Sequence, residues 1–567
     1  MSPFEEILRA RGLTDPEKRR VFLLPDYTLK HDPFLLPDMA AAVTRLVTAR
    51  EKQEKITIYG DYDIDGLTAT TVLLDSLEKF GFERVDAFIP NRFVEGYGLT
   101  VDAVERIAET GAQLIITVDC GSLSTKEIER ASELGIDVIV TDHHNVQKVQ
   151  PPAVAVINPK RLLQDHPEAY ENYILKPDSA LDNLYPFLDL PGVGVAFKLV
   201  QALQTRLDGL AIGQEKWLLD LVALGTVCDV VTLVDENRTH VYWGLQVLKK
   251  TRRPGLRALM AVAGVEQSKA DARSLGFALG PRMNAAGRLE TAKYALDMLR
   301  ATDKDTALEK AQLLDEMNAK RRAEQDQILK SALIEAEKYA DDPVLVVSGK
   351  GWNHGIIGIV AAKLLEKFHK PTFVLEEMEN GEAKGSARSY GDFSAADAIR
   401  SADAIIAKGG GHKLAAGVTL PVENIAKFRA QVNEFYRENG FNHESEERKL
   451  LPSADIVAIF ENVDEELVVQ IATLEPFGNG NPSPILRSEN LLVENIRRMG
   501  SEGQHVKLTL SQDGKRMDFI AFSAPDYFFV EPGEYITIDF QPEINEWRGN
   551  RSIEGRLLHL TKKSTDD

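Results

Sequence analysis

Residues 56–70 read ITIYGDYDIDGLTAT: a β-branched run that breaks at Gly60, then Asp61, Asp63 and Asp65 within five residues, then a helix-like stretch from Gly66. Three carboxylates crowded at a strand end repel one another when ionised, unless cations lie between them. The spacing therefore predicts half of a metal site, and the rest must come from elsewhere in the chain. Asp119 closes the apolar run 114–118, and Asp142, His143 and His144 close the run 138–141. Asp229 ends an apolar helical stretch that begins near Trp217, a setting in which an acid needs a partner and a metal is a good one. The set has enough oxygen donors for two divalent cations, with imidazole to favour manganese over calcium. Two cations about 3.5–4 Å apart can activate a water and neutralise both the attacking and the leaving oxygen of a phosphoryl displacement. The chemistry to expect is that of a phosphoesterase. Any one of these acids could be a helix cap or a turn former; all of them at strand ends together argue for a metal site.

The elements that must position them follow from periodicity. Between residues 55 and 160, strands are predicted at 56–59, 85–90, 114–119, 137–142 and 153–157, and helices at 67–80, 101–109 and 124–134. Such alternation means a parallel sheet covered by helices, with ligands bound beyond the carboxyl ends of the strands. The acids fall at those ends. Residues 1–50 read as short helices leading into the first strand. Residues 303–340 lack Gly and Pro and are rich in Ala, Leu, Glu and Lys, which predicts one long helix. A second α/β unit follows, with strands at 344–348 and 372–376 and helices at 356–368 and near 394–401. About five β-rich segments between 485 and 560, one hairpin marked by Asp513-Gly514, predict a small barrel. The expected division is a lead-in at 1–50, a catalytic domain at 51–302, a connecting helix at 303–342, a substrate-binding domain at 343–440, a connector at 441–484 and the barrel at 485–567.

Composition bounds the partners. No window approaches the roughly 18 apolar residues of a membrane span, and the N-terminal residues have no cationic segment followed by an apolar one, so no signal peptide is predicted. Cys120 and Cys228 are the only cysteines, which fits a reducing cytoplasm and excludes a disulfide framework. Each adjoins a proposed ligand, and small buried residues beneath the site are the favoured reading. The net charge of -20 argues, taken alone, against nucleic acid. Residues 444–475, however, carry nine acids against Arg448 and Lys449, so the acidity is concentrated and leaves room for a cationic groove elsewhere. Gly409, Gly410 and Gly411 with His412 let backbone N–H groups approach an anion, as does Gly385-Ser386 with Arg388 nearby.

GDYDIDG, TVDCG, TDHH and GTVCDVV, in this order and at these spacings, resemble the four motifs of the DHH phosphoesterase superfamily. GIIGIVAAKL, GSARS and GGGHKLAAG look like its associated substrate-binding domain, DHHA1. The stretches EGYGL, GPRMNAAGRL and FGNGNP, the long helix and the terminal β module, which resembles an OB-fold, are similar to the single-strand-specific exonucleases of that superfamily over nearly the whole chain. The resemblance implies an α/β fold in which Asp63, Asp65, Asp119, His143 and Asp229 bind a pair of Mn2+ or Mg2+ ions, with Asp119 bridging. It makes Asp61 and Asp142 ligands or close neighbours of them, and it turns His144 toward the scissile phosphate. Tyr59 stands where related pyrophosphatases carry a histidine, so carboxylates are expected to replace that ligand. Arg92 and Arg282 match basic positions aimed at a terminal 5′ phosphate, with His354, Ser386 and Arg388 at the same pocket.

In the barrel, Trp547, followed by Arg548 and Arg551, is the expected base-stacking contact, and Phe519 and Phe522 are expected inside. The implied activity is 5′-to-3′ hydrolysis of single-stranded DNA to mononucleotides in recombination and repair. The implied partners are a single-strand-binding protein and a helicase, around a cytoplasmic monomer with no membrane contact. Two rivals stand beside it. One is a DHH phosphodiesterase for small nucleotides or short RNA, whose shorter members lack the terminal module. The other is a non-catalytic nucleic-acid binder, which the intact acidic motifs disfavour.

Overall fold

The apolar runs of the first half assemble into one parallel sheet. In the computed structural model its strands are β1 (Ile56–Gly60), β2 (Val85–Phe88), β3 (Leu114–Val118), β4 (Asp137–Thr141) and β5 (Ala155–Ile157), in the order β2-β1-β3-β4-β5. The structure describes all residues except 97, 176–180, 182, 444, 445, 447, 448, 501, 502, 548 and 563–567, together with all but the side chains of Trp547 and Asn550. β1 and β3 bury every residue, as strands covered on both faces must. Ile56, Ile58, Leu114 and Ile116 join a core with the helix Gly192–Leu203 on one side, and Tyr59, Ile115, Val138 and Val140 pack with Val104, Ile107 and Ile128 on the other. The chain leaves β1 for β2 on one side and returns to β3 on the other. A crevice therefore opens beyond the carboxyl ends of β1 and β3.

The helix Ile64–Lys79 begins three residues before the predicted start. Asp63 is the reason: its carboxylate accepts N–H bonds from Asp65 at 2.9 Å and Gly66 at 3.3 Å, a cap that draws the helix up to the strand end. Asp65 thus sits in the first helical turn. Gly66 makes the close approach feasible, since a Cβ there would lie 2.5 Å from the Asp61 carbonyl oxygen and 2.7 Å from its nitrogen.

Two compact units emerge, one of residues 25–323 with 476–482, the other of 1–24, 324–475 and 483–567. The lead-in expected at 1–50 is divided between them, and in the second unit Arg11 binds Asp455 at 3.0 Å. The span 441–484, expected as a connector, contains regular elements among its described residues. Ile456 and Val457 form β11, parallel to Leu486 and Arg487, and Asp464 caps the helix Glu465–Ala472. Asp455 pairs with Arg11 and accepts the Ile485 N–H at 2.9 Å.

The long helix runs Lys304–Glu337. After it, β6 (Leu345–Lys350), β7 (Thr372–Glu377), β8 (Glu382–Arg388), β9 (Lys408–Gly411) and β10 (Ala415–Pro421) form a mixed sheet in the order β6-β7-β8-β10-β9. The Gly409-Gly411 stretch, expected as a loop, is therefore the edge strand β9, with Gly410 opposite Gly417. A Cβ on Gly411 would lie 2.6 Å from the Ala415 carbonyl oxygen, so glycine is what lets the strands close up.

β12 (Leu486–Met499), β13 (His505–Gln512), β14 (Lys515–Ala521), β16 (Asn550–Lys562) and β15 (Tyr535–Trp547) follow one another around a closed barrel, sealed by pairing of β15 with β12. Asp513 and Gly514 turn the β13–β14 hairpin with φ of 50° and 86°. Phe519 lies inside against Phe540. Phe522 does not: Met517, Phe519 and Ala521 take the inward positions of β14, so alternation puts Phe522 outside, 66% exposed, its ring edge-on to His505. Among the described residues no helix is long and apolar enough to cross a membrane.

If the Gly66 contact is as tight as the geometry requires, Gly66→Ala should lower the unfolding free energy by about 1–3 kcal/mol through overpacking. Urea denaturation measures it, and an unmoved midpoint would mean that the Asp61 backbone yields freely.

Candidate metal centre

Four segments converge at the crevice. Asp61 directly follows β1, the helix cap and first turn supply Asp63 and Asp65, and Asp119 directly follows β3. β4 is followed by Asp142, His143 and His144, and the helix Leu219–Cys228 delivers Asp229 as its C-cap. Three groups each have ligand atoms within 4.8 Å of one another: Asp61, Asp63 and Asp119; Asp65, His143 and Asp229; Asp119, His143 and His144. Asp119 and His143 each belong to two groups, so the groups are contiguous.

The backbone is bent to achieve this. Asp119 has φ of 62° and Val230, directly after Asp229, has φ of 61°. Left-handed conformations of non-glycine residues cost on the order of 1–3 kcal/mol each and cluster at functional sites. Asp65 is fixed by the start of the helix Gly192–Leu203, where its carboxylate accepts N–H bonds from Gly192 at 2.5 Å and Val193 at 2.8 Å. The same glycine leaves room for Asp119, since a Cβ on Gly192 would lie 2.6 Å from the Asp119 Cβ. His143 makes a hydrogen bond to the Leu190 backbone. Its Nε2 lies 3.1 Å from Asp119 Oδ1, 3.6 Å from Asp229 Oδ2 and 3.8 Å from Asp65 Oδ2.

Electrostatics call for a countercharge. Burial, then Asp63, pushes Asp61 up to about 8 and Asp65 up to about 7. Burial, then Asp65 and Asp63, pushes Asp229 up to about 9, and burial with four acidic neighbours holds Asp119 well above the usual range. Burial and the neighbouring His144 lower His143 to about 3, so its ring is neutral and in ligand form at pH 7. Asp61 Oδ1, Asp119 Oδ1 and His143 Nε2 are buried without hydrogen-bond partners. Unpartnered acceptors among carboxylates that resist ionisation fit divalent cations, whose charge would reverse that resistance.

Asp142, expected as a ligand or a close neighbour of the ligands, is engaged in hydrogen bonds. It accepts N–H bonds from Ser122 at 2.9 Å, His143 at 2.7 Å and His144 at 3.1 Å, and its Oδ1 is 2.9 Å from His144 Nδ1. Burial would raise its pKa, but these bonds and the two imidazoles hold it far below the usual range. It orients His144, and both of its oxygens are hydrogen-bonded. Tyr59 is buried and donates to the Gly98 carbonyl at 2.8 Å, away from any ligand role. Burial raises both Cys120 and Cys228, which stay as neutral thiols.

The proposed substrate contacts divide. The Arg92 guanidinium stacks 4.2 Å from the Tyr62 ring centre and acts electrostatically on Asp61, which places both at the rim of the acidic cluster. Arg282 instead pairs with Asp315 at 2.7 Å and bonds the Ala278 carbonyl at 2.8 Å, one of the chain's many acids having claimed it. In the second unit, Arg388 Nη1 donates to Ser386 Oγ at 3.3 Å, and a Cβ on Gly358, in the first turn of the helix Ile357–Phe368, would lie 2.9 Å from that Oγ. Burial lowers the Arg388 pKa, and no acid among the described residues offsets it. His354 Nδ1 is 2.9 Å from Glu376. Gly410, Gly411 and His412 lie exposed on and beside β9. Trp547 and Arg548 lie outside the described side chains, and Arg551 pairs with Glu465 at 2.8 Å. Sequence reasoning missed Gly192, Val193 and Tyr62; the first two were signalled by LPGVG, a Pro-Gly step opening a helix, and Tyr62 by its place between Asp61 and Asp63.

Three family profiles match the chain: the DHH family N-terminal domain over 55–226, the DHHA1 domain over 341–438 and the RecJ OB domain over 454–559. The single-stranded-DNA-specific exonuclease RecJ of Haemophilus influenzae is 32% identical over 555 residues, covering 93% of this chain and 92% of that protein. This chain belongs to the RecJ family. The RecJ of Bacillus subtilis is 37% identical over 550 residues, 96% of this chain, and the chain spans 66% of that relative's length. The crystal structure of Thermus thermophilus RecJ in complex with Mn2+ superposes with a TM-score of 0.79 at 28% identity, covering 99% of this chain and 76% of the other. For this RecJ-family member the α/β sheet, the second α/β domain and the OB barrel are the family's architecture.

The raised carboxylates make a signed prediction. Below about pH 4 they are protonated in both folded and unfolded chains; as pH rises the unfolded chain releases those protons first, so the metal-free protein loses stability up to the range of about 7 to 9. The gain in Tm on adding Mn2+ should therefore be larger at about pH 8.5 than at about pH 6. Equal gains at both, by scanning calorimetry, would contradict the assignment.

Proposed function

We propose that this chain is a metal-dependent exonuclease that degrades single-stranded DNA from its 5′ end to mononucleotides, using Mn2+ or Mg2+, in recombination and repair. The observation that carries the reading is the convergence of Asp119 Oδ1, Asp61 Oδ1 and His143 Nε2, buried and unpartnered, in a member of the RecJ family. The closed barrel and the OB-domain match support a strand substrate over small nucleotides or short RNA.

Asp61, Asp63, Asp65, Asp119, His143 and Asp229 would hold the ions. When bound, such a pair supplies a nucleophilic water at neutral pH and neutralises the charge that develops on the phosphoryl group. His143, fixed by the Leu190 backbone, offers Nε2 in neutral form. Burial works against a charged His144 ring, but the Asp142 carboxylate overrides it and raises the pKa, which favours an imidazolium able to donate to a phosphate oxygen. Arg388 and Ser386, beside the N-terminus of the helix Ile357–Phe368, form an anion pocket suited to a terminal 5′ phosphate. Arg92 supports the strand near the ions, whereas Arg282 serves the fold through Asp315. The enzyme acts as a cytoplasmic monomer, with a single-strand-binding protein and a helicase as its partners.

Two measurements test this. Asp63→Asn keeps an oxygen to cap the helix but removes the charge. Cleavage of end-labelled single strands should fall at least about 100-fold, the scale of a disabled metal site, while strand binding in EDTA stays unchanged; full turnover would discard the site. Arg388→Ala should reduce the preference for 5′-phosphorylated over unphosphorylated ends roughly tenfold or more, the worth of a charged hydrogen bond. Equal loss on both ends would refute the pocket.

A further inference from the structure

We infer that Asn479 is a positioning residue for the metal ligand Asp229, acting from a glycine-asparagine clip that the RecJ OB profile counts with the barrel. Residues 476–482 fall within the 454–559 match, yet they pack with the unit that bears the acids. The inference rests on the reading of Asp229 as a ligand.

The turn after Asp229 needs a holder. Val230 is β-branched at φ of 61°, a conformation such residues avoid, and it is 64% exposed, so packing does not keep it there. Asn479 does: its Nδ2 donates to the Val230 carbonyl at 2.9 Å, and its own carbonyl accepts the Leu233 N–H at 2.7 Å. One residue thus grips both ends of the turn, once as donor and once as acceptor.

The clip is built for close approach. A Cβ on Gly478 would lie 2.7 Å from Leu233 Cδ1, and one on Gly480, at φ of 72°, would lie 3.1 Å from the Thr232 Cβ. Gly478 and Asn481 exchange backbone bonds at 2.9 and 3.1 Å, and Asn481 Nδ2 donates to the Pro476 carbonyl at 2.9 Å, so the clip is closed on itself. This is what FGNGNP does physically: the glycines admit the turn, Asn481 shapes the clip and Asn479 reaches out of it.

The grip extends beyond Asp229. Thr232 donates its N–H to Asp189 Oδ2 at 2.9 Å, and Asn237 Nδ2 ties the Asp189 carbonyl at 2.6 Å. The next residues along the chain are Leu190, which bonds His143, and Gly192 and Val193, which bond Asp65. The Asp65, His143 and Asp229 group therefore rests on one hydrogen-bonded frame that the clip closes.

Mn2+ alone, titrated into full-length metal-free protein and followed by the EPR signal of free Mn2+, is the test. Asn479→Ala should weaken one Mn2+ equivalent about tenfold, as loss of a group that orients a ligand does. Val230→Gly removes the side chain that disfavours positive φ, so it should bind Mn2+ like the wild type, and Val230→Gly/Asn479→Ala should recover to within about threefold. A general folding role for Asn479 would not be rescued in this way, and failure of the rescue overturns the inference. If Asn479→Ala alone does not fold, the comparison is made in the Val230→Gly background, where a tenfold loss on adding Asn479→Ala also overturns it. Asp229→Ala separates the two readings. Loss of an equivalent there, with none in Asn479→Ala, sinks only the clip; an unchanged isotherm in Asp229→Ala sinks the metal assignment itself.

Discussion

Like-charge repulsion among buried carboxylates is the constraint to which the rest of this structure answers. Asp61, Asp65, Asp119 and Asp229 are each taken out of water within reach of other acids, and each is pushed toward its neutral form. Such an arrangement disfavours the ionised, metal-free fold, and a countercharge relieves it. The sheet supplies the location. With strand order β2-β1-β3-β4-β5, the chain turns in opposite directions at β1 and β3, and the opening between them is where the acids meet.

Bringing them there requires backbone that ordinary packing would not select. Asp119 and Val230 adopt left-handed conformations without being glycines, and glycines stand where other backbones must approach: Gly66 under Asp61, Gly192 against Asp119. Directional bonds then lock what sterics permit. Two amides at a helix start hold Asp65, and Asp142 gathers three N–H groups and an imidazole. Acids of one residue type thus separate into two roles by hydrogen bonding alone. Asp142, saturated with donors, stays ionised and shapes its surroundings; Asp61 and Asp119 each keep a buried oxygen with no hydrogen-bond partner.

Much of this was legible in the sequence because strand ends and acids coincide in it. The sheet follows from alternation, and Asp61, Asp63, Asp65, Asp119, His143 and Asp229 stand directly after or within elements whose periodicity is plain. What was not legible depends on pairing across distance. Nothing local distinguishes Asp142 from Asp119, since both follow apolar strands; the difference is the set of N–H groups that tertiary structure aims at one of them. Arg282 looks available in the sequence, but the fold sets Asp315, on the long helix, beside it. The glycine triplet at 409–411 carries the composition of a loop, but the absence of side chains equally suits an edge strand pressed onto β10. Phe522, by contrast, could have been read correctly: Met517, Phe519 and Ala521 take the inward positions of β14, so period-two alternation alone places Phe522 on the outer face. The acidic stretch 444–475 reads by charge as a connector, although Asp455 and Asp464 are there to bond and cap folded structure.

FGNGNP illustrates why family boundaries drawn along the sequence and units drawn by contact need not coincide. The profile counts those residues with the barrel, into whose first long strand they lead; packing assigns them to the acids because Asn479 bonds the turn beside Asp229. Such a segment is constrained from both sides, by the chain's path into β12 and by the geometry of a turn 249 residues earlier, at Val230. A contact so distant in sequence closes a long loop, whose entropic cost grows only slowly with length. The strain at Val230 can therefore be held by a partner from far along the chain as readily as by a near one, provided that partner brings a donor and an acceptor in the right register. Asn479 brings both, one on its side chain and one on its backbone.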